Sequence, residues 1–361
     1  IGPSAADEPT YMTPARVLAR PSSTVFPPGP FFATAKQVGQ RLTLDLGNSL
    51  PTALPGDPPD SSQLGALAIG WLDGANFRSI TTIDYDSLIP ERAGVVDIEL
   101  GKDLATIIQT QRLCLANTSV SPAKQLLAEN GDGYYMLADQ FVYRMNPGIA
   151  ETDAPARGDT ATVNVYVTQF GQPLPNAAVT LTMLDEQDAI AYTSNTLGTS
   201  GTRGIANLST PASALQFSAT STSDSRGVAR FELQASDPGD PRGSVDGQVY
   251  FLRYQFQSPP SPYVQGPDEL VSVQVYQQAT APQPVTWTNT IAEILGQYGM
   301  LYPIMSNIGL NDYDSVVRNH AMIKTVLSRS MLDPLHMPVT RDLSDSRRKL
   351  VLDWIDAGMP K

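Results

Sequence analysis

Val163-Asn164-Val165-Tyr166-Val167-Thr168 alternates apolar and polar residues, and Gly171-Gln172-Pro173-Leu174-Pro175-Asn176-Ala177 then turns the chain into Val179-Thr180-Leu181-Thr182-Met183. A period of two places the three valines on one face of a strand, and a Pro/Gly turn between two such runs reads as a hairpin-like pair. Downstream, Asp224-Ser225-Arg226-Gly227 leads into Val228-Ala229-Arg230-Phe231-Glu232-Leu233, whose Ala229, Phe231 and Leu233 share a face. Gly227 is expected at positive φ, where a β-carbon would be strained. Val271, Val273 and Val275 supply a last strand, and short strands at this spacing suit a β-sandwich.

Outward from this region the pattern changes twice. Upstream, Arg41-Leu42-Thr43-Leu44-Asp45-Leu46 alternates strictly, Leu67–Trp71 and Val96–Leu100 read as half-buried strands, and Asn130-Gly131-Asp132-Gly133 is a turn before the aromatic strand Phe141–Arg144. Downstream of Pro284 the period becomes 3.6, in three short stripes: Trp287, Ile291, Ile294 and Leu295; Tyr313, Val316, Val317, Ile323 and Leu327; and Leu343, Leu350, Val351, Trp354 and Ile355. The expected fold class is therefore mainly β, with a β-rich module over 1–150, a β-sandwich over 151–281 and a helical tail or junction over 282–361. Ser194 to Ser225, rich in Ser, Thr, Gly and Ala, reads as a mobile or partner-engaged insertion between strands.

The 361 residues carry 24 Lys and Arg against 36 Asp and Glu, a net charge of −12, with no basic stripe. Phosphate neutralisation is a poor use for such a surface, so nucleic acid is not an expected partner. No run approaches the roughly 20 apolar residues that span a bilayer as a helix. One cysteine cannot form an internal disulfide, which favours the cytoplasm over an extracellular site without deciding between them. The chain opens on Ile1, and the sequence reading takes it as cut from a longer precursor.

The sequence holds no recognisable catalytic or metal-binding constellation. Two histidines exclude a three-histidine site, and with Cys114 and scattered carboxylates they give no ligand spacing. His320, between Val316 and Ile323, reads as a packing histidine, and His336, beside Asp333-Pro334, as a surface one. The sequence holds no G-x-S-x-G, Walker loop, G-x-G-x-x-G or H-E-x-x-H, and Asn130–Gly133 lacks the spaced oxygens of a calcium loop. No catalytic, cofactor-binding or metal residue is assigned, and no cofactor is expected in this chain.

Three resemblances add to this reading. The G-x-P-x-P-x-A-x-V turn at 171–179 and the S-D-x-x-G-V-A-x-F run at 223–231 resemble the immunoglobulin-like modules of bacterial surface and multidomain proteins, which imply a seven-strand-like sandwich and no chemistry. Met337-Pro338 followed by a short helix is similar to the end of small c-type cytochromes, but the C-x-x-C-H heme attachment is absent. Tyr298-Gly299-Met300-Leu301-Tyr302-Pro303-Ile304-Met305-Ser306 and Met337-Pro338-Val339-Thr340-Arg341-Asp342-Leu343-Ser344, each in family order with the upstream strands, resemble the chromopyrrolate-synthase-like family, the iminophenyl-pyruvate dimer synthases of violacein and rebeccamycin pathways. That resemblance implies a β-rich region preceding a ferritin-like helical domain, whose Glu and Glu-x-x-His ligands fall on no residue here.

Two functional expectations follow. One is a non-catalytic scaffold within a larger ferritin-like oxidative biosynthetic enzyme; the other is a structural or adhesive β-sandwich module of a multicomponent surface or extracellular assembly. Both need a protein partner or a further domain, and oligomerisation is left open. The stripe Leu350, Val351, Trp354 and Ile355 is the candidate interaction surface, docking either on the chain's own first β-module or on a partner.

Overall fold

The computed structural model describes residues 16–19, 33–47, 49–50, 59–88, 94–149, 158–185, 207–243, 245–259, 270–302, 307–330 and 333–361, with a few isolated positions between them. The fold is mainly β: three curled sheets and a C-terminal helical unit.

Strands β1 (Arg16–Ala19), β2 (Ala33–Val38), β3 (Arg41–Asp45), β4 (Leu67–Asp73), β5 (Asn76–Ile83), β6 (Val95–Glu99), β7 (Arg112–Asn117) and β8 (Lys124–Glu129) form one antiparallel sheet. Their order is β5-β4-β7-β8-β1-β2-β3-β6. The alternation of β3 works as its sequence dictates: Leu42 and Leu44 are fully buried among Leu18, Ile69, Leu113 and Leu115. Two short helices, α1 (Ser61–Leu64) and α2 (Lys102–Ile107), add Leu64 and Ala105 to that core. Arg16 and Glu129 are buried together between β1 and β8; the Arg16 Nε donates to Glu129 at 2.8 Å and its Nη1 to the Ile108 carbonyl, while Glu129 also accepts from the Leu113 amide at 2.7 Å. Each member of this pair is hydrogen-bonded, which is the condition under which a buried ion pair is tolerated.

The second core is the immunoglobulin-like sandwich, built from β9 (Tyr134–Ala138), β10 (Val142–Met145), β11 (Thr160–Gln169), β12 (Gln172–Pro173), β13 (Ala178–Leu184), β14 (Leu215–Phe217), β15 (Thr220–Thr222), β16 (Val228–Ala235), β17 (Gln248–Phe256) and β18 (Leu270–Val275). One sheet runs β10-β18-β17-β13-β15; the other runs β12-β11-β16-β14, with β9 also paired to β11. Val163, Val165 and Val167 from one sheet meet Leu181, Tyr250, Tyr254, Val271 and Val273 from the other, all buried. Gly227 has φ +74°, and a β-carbon there would stand 2.5 Å from the Val167 carbonyl oxygen and 3.0 Å from the Leu174 amide.

Sheet pairing draws the modules differently from sequence composition. Residues 134–145, expected in the first module, belong to the sandwich: Tyr134–Ala138 pair along β11, and Val142–Met145 lie parallel to Ser272–Val275. The Ser/Thr/Gly-rich stretch also divides. Its residues 194–206 lie outside the described residues, whereas 207–225 are integral, because β14 joins β16 in one sheet and β15 joins β13 in the other. Leu208, Ala214 and Leu215 are buried there, so this part is framework and not a mobile insertion.

After Pro284 the chain enters a π-helical turn, Trp287–Ile291, that runs into α3 (Ala292–Leu301), followed by α4 (Tyr313–Leu327) and α5 (Asp345–Asp356). Each start is capped: Thr286 and Asn289 form a reciprocal box, the Asp312 carboxylate accepts from the Ser315 amide, and the Ser344 hydroxyl accepts from the Arg347 amide. Gly358, at φ +84°, supplies the left-handed exit after α5.

Candidate functional site

The apolar stripe of α5 is turned into the helical unit. Val351, Trp354 and Ile355 are buried and Leu350 is partly buried, all within a core shared with Trp287, Ile291, Leu295, Val316 and Ile323. The Trp354 ring lies 6.0 Å from that of Trp287 and 6.5 Å from that of Tyr313, and its indole N–H donates to the Pro360 carbonyl at 2.9 Å. The stripe thus docks on the two preceding helices, a surface that neither expectation, the first β-module or a partner, had named. Three marginal helices, each too short to persist alone in water, bury one another's stripes.

What reaches outside the helical unit is the polar first turn of α5. Asp246, just before β17 and 4% exposed, accepts from the Ser344 amide at 3.3 Å and lies 3.4 Å from Arg347 Nε. Its other oxygen accepts from the Gln277 amide at 3.1 Å. Asn146, just after β10, accepts from the Asp345 amide at 2.9 Å. Ser346 donates to the Gln277 carbonyl and accepts from the Ala279 amide, and the Tyr276 hydroxyl donates to the Arg341 carbonyl. Amides at the start of a helix have no intrahelical acceptor, and here the end of the sandwich provides two. Burial pushes the Tyr276 and Tyr298 hydroxyls well above the usual tyrosine range, and the Asp246 and Asp342 carboxylates push both further the same way. Both tyrosines stay neutral at this seam. No motif announces Asp246 or Asn146, because a lone Asp or Asn in a turn has no sequence context that gives its distant partner.

Beside the seam is a cavity of about 280 Å³ between α3, α4 and the connection to α5. Its walls include Tyr298 from α3 and Tyr302 just after it, Met322 and Val326 from α4, and Met337 and Leu343 from the connection, and its lining is wholly apolar. The rim is held by a loop wound on one guanidinium: Arg341 donates to the carbonyls of Asp333, His336, Pro338 and Val339. Tyr302 points its hydroxyl to Thr340 Oγ1 at 2.7 Å and to Asp342 at 3.4 Å.

His320 Nδ1 lies 2.7 Å from the Val317 carbonyl one turn back, a local partner of the kind a packing histidine needs. His336 is not a surface residue: it is 2% exposed, with Nδ1 2.7 Å from the Arg329 carbonyl. The turn that places it follows Asp333, whose carboxylate accepts from the Leu335 amide and so sets the loop inward. Met337 lines the cavity and packs there. Cys114 is buried between β4 and β8, and burial pushes its thiol up to about 12, which keeps it an inert thiol. Among the described residues, no group of three or more His, Cys, Asp or Glu is placed to hold a metal ion, and no helix is long and apolar enough to cross a membrane.

No family model matches the sequence, and no curated protein matches it. Solved structures give low-identity likenesses. A putative carbohydrate-binding protein from Bacteroides ovatus is 12% identical, at TM-score 0.24, over 40% of this chain and 38% of that one. The Calx CBD1 domain is 13% identical, at TM-score 0.23, over 40% of this chain and 96% of that one. The D0-D1 domain of intimin is 11% identical, at TM-score 0.21, over 67% and 90%. The chain spans well under half the length of the Bacteroides ovatus protein, and likenesses at these scores carry no argument about function.

Proposed function

We propose that this chain is a structural interaction module of a multicomponent assembly, in which an immunoglobulin-like sandwich carries a small helical unit at a fixed orientation. One observation carries this reading: the first turn of α5 is clamped to the sandwich end by Asp246, Asn146 and Gln277. A flexible tether would need no buried carboxylate. A fixed relative orientation matters when both units must meet one partner at once. Cross-linking of the natural protein in its host, read by mass spectrometry, tests it. Links from exposed lysines such as Lys102, Lys124 or Lys349 to one defined partner or further domain are expected; intrachain links alone overturn it.

A second reading, a scaffold portion of a ferritin-like oxidative biosynthetic enzyme of the imine-dimer-synthase kind, is supported by a convergence. Tyr298, Tyr302 and Met305 from one stretch of the resemblance, and Met337, Pro338 and Leu343 from the other, line the same cavity. The encoded sequence beyond Lys361 separates the two: a helix carrying Glu-x-x-His supports the enzyme, and further sandwich repeats support the assembly module.

A further inference from the structure

The apolar cavity of the helical unit is a space that the fold's own side chains leave unfilled. We propose that it binds an uncharged aliphatic molecule, a hydrocarbon or long-chain alcohol, and rejects the corresponding carboxylate.

Three observations give the chemistry. First, the lining offers no polar surface, so water inside would lack the two to four partners that hold a buried water, and an apolar occupant gains what water loses. Second, the volume of about 280 Å³ falls at the lower end of small-molecule sites, which suits a ligand smaller than a drug. Most of the wall is aliphatic, and Met305, Met322 and Met337 supply unbranched side chains that adapt to a chain of variable shape. Third, charge at the rim selects the head group. Asp342 lies beside Thr340 and the hydroxyl of Tyr302, whose ring is part of the wall. An alcohol can share hydrogen bonds with these groups, whereas a fatty-acid carboxylate would meet a carboxylate of the same sign. Both guanidiniums of the connection are already engaged, Arg341's by four backbone carbonyls and Arg329's by the Asp333 carboxylate. The inference is independent of which assembly the module joins.

The test titrates the full chain with N-phenyl-1-naphthylamine, a neutral fluorophore that brightens in apolar surroundings, and then displaces it. One saturable site per chain is expected, with 1-decanol displacing the probe at a concentration at least tenfold lower than decanoate at pH 7. Val326→Trp, which fills the cavity from α4, should weaken probe binding at least tenfold, whereas Phe141→Ser, at an exposed apolar residue of the sandwich, should leave it unchanged. If Val326→Trp does not fold, Met322→Glu at the half-exposed rim serves in its place. Absence of saturable binding, equal displacement by decanoate, or binding untouched by the cavity variants would each overturn the assignment.

Discussion

The sandwich and the helical unit solve the same problem with different completeness. In the sandwich, residues from two sheets interdigitate and the core is closed by its own side chains, including Tyr143, Tyr250 and Tyr254, whose hydroxyls all find partners. In the helical unit, three stripes bury one another around Trp354 but leave a cavity where α3, α4 and the connection to α5 diverge. Sheets fix their side chains in rows at a constant spacing, so two facing sheets can fill the gap between them row by row. Helices crossing at angles fill only the contact zone, and the space beyond it depends on the loops. A complete core makes a framework, and an incomplete one leaves room for an occupant.

The sharpest way to break this comparison is Trp354→Ala. Truncating so buried a ring should cost about 3–5 kcal/mol. If the two regions are separate cores, hydrogen exchange will accelerate across Asp345–Asp356 while the amides of Val163, Val165 and Val167 stay protected. Acceleration in both would mean that they melt as one. Gly227→Val puts the converse strain into the sandwich. A β-branched residue at φ +74° against the Val167 carbonyl should cost about 1–3 kcal/mol, seen as a lower melting temperature with helical exchange unchanged. An unchanged melting temperature would mean that the turn relaxes.

Between the two regions, Asp246→Asn tests the clamp. Losing the charge beside Arg347 while keeping the shape should cost about 1 kcal/mol. It should also broaden the distribution of distances between spin labels on the sandwich and on α4; an unchanged distribution would make the seam incidental. The smallest effect expected is acid loosening of the helical unit. Backbone and side-chain hydrogen bonds from Leu335 and Arg329 hold the Asp333 carboxyl below its usual 3.8, and those from Ser315 do the same for Asp312. A carboxyl whose folded pKa is depressed stabilises above the unfolded value, and that contribution is lost as the pH falls through the folded one. Amides at the start of α4 and in the 333–341 loop should therefore exchange faster below about pH 4, before those of the sandwich core.

Sequence made the local geometry legible and left the distant partners hidden. The alternation of Val163, Val165 and Val167 fixed a strand and its inward face, and Ser344 and Gly358 marked both ends of α5, because each signal sits within a few residues of what it determines. The expected boundary at residue 150 leaves residues 134–145 on the wrong side for the opposite reason. The strand at Phe141–Arg144 is legible locally, whereas Tyr134–Ala138 has no polar residue to alternate with and is not read as a strand, and only pairing with Val273 or Thr168 says which sheet each joins. Strands of three residues, such as β14 and β15, are too short to show a period, so a Ser- and Thr-rich framework segment has the sequence signature of an insertion. Arg16 with Glu129 and Asp246 with Ser344 are partners across distances for which no motif exists. The stripe of α5 was read correctly as apolar, but a stripe does not name the surface it meets.

The parallel pairing of β10 with β18 has a kinetic consequence. Tyr143 faces Val273 across the pair, so β10 has no strand to pair with until Val273 has been synthesised, and this sheet cannot close in step with the emerging chain. Local hairpin contacts form early, and this late, long-range contact carries the loop-closure entropy of nearly everything between. Until β18 arrives, the backbone N–H and C=O groups along β10 lack their ladder, and a ribosome stalled before residue 270 would hold a chain with that edge open to its neighbours.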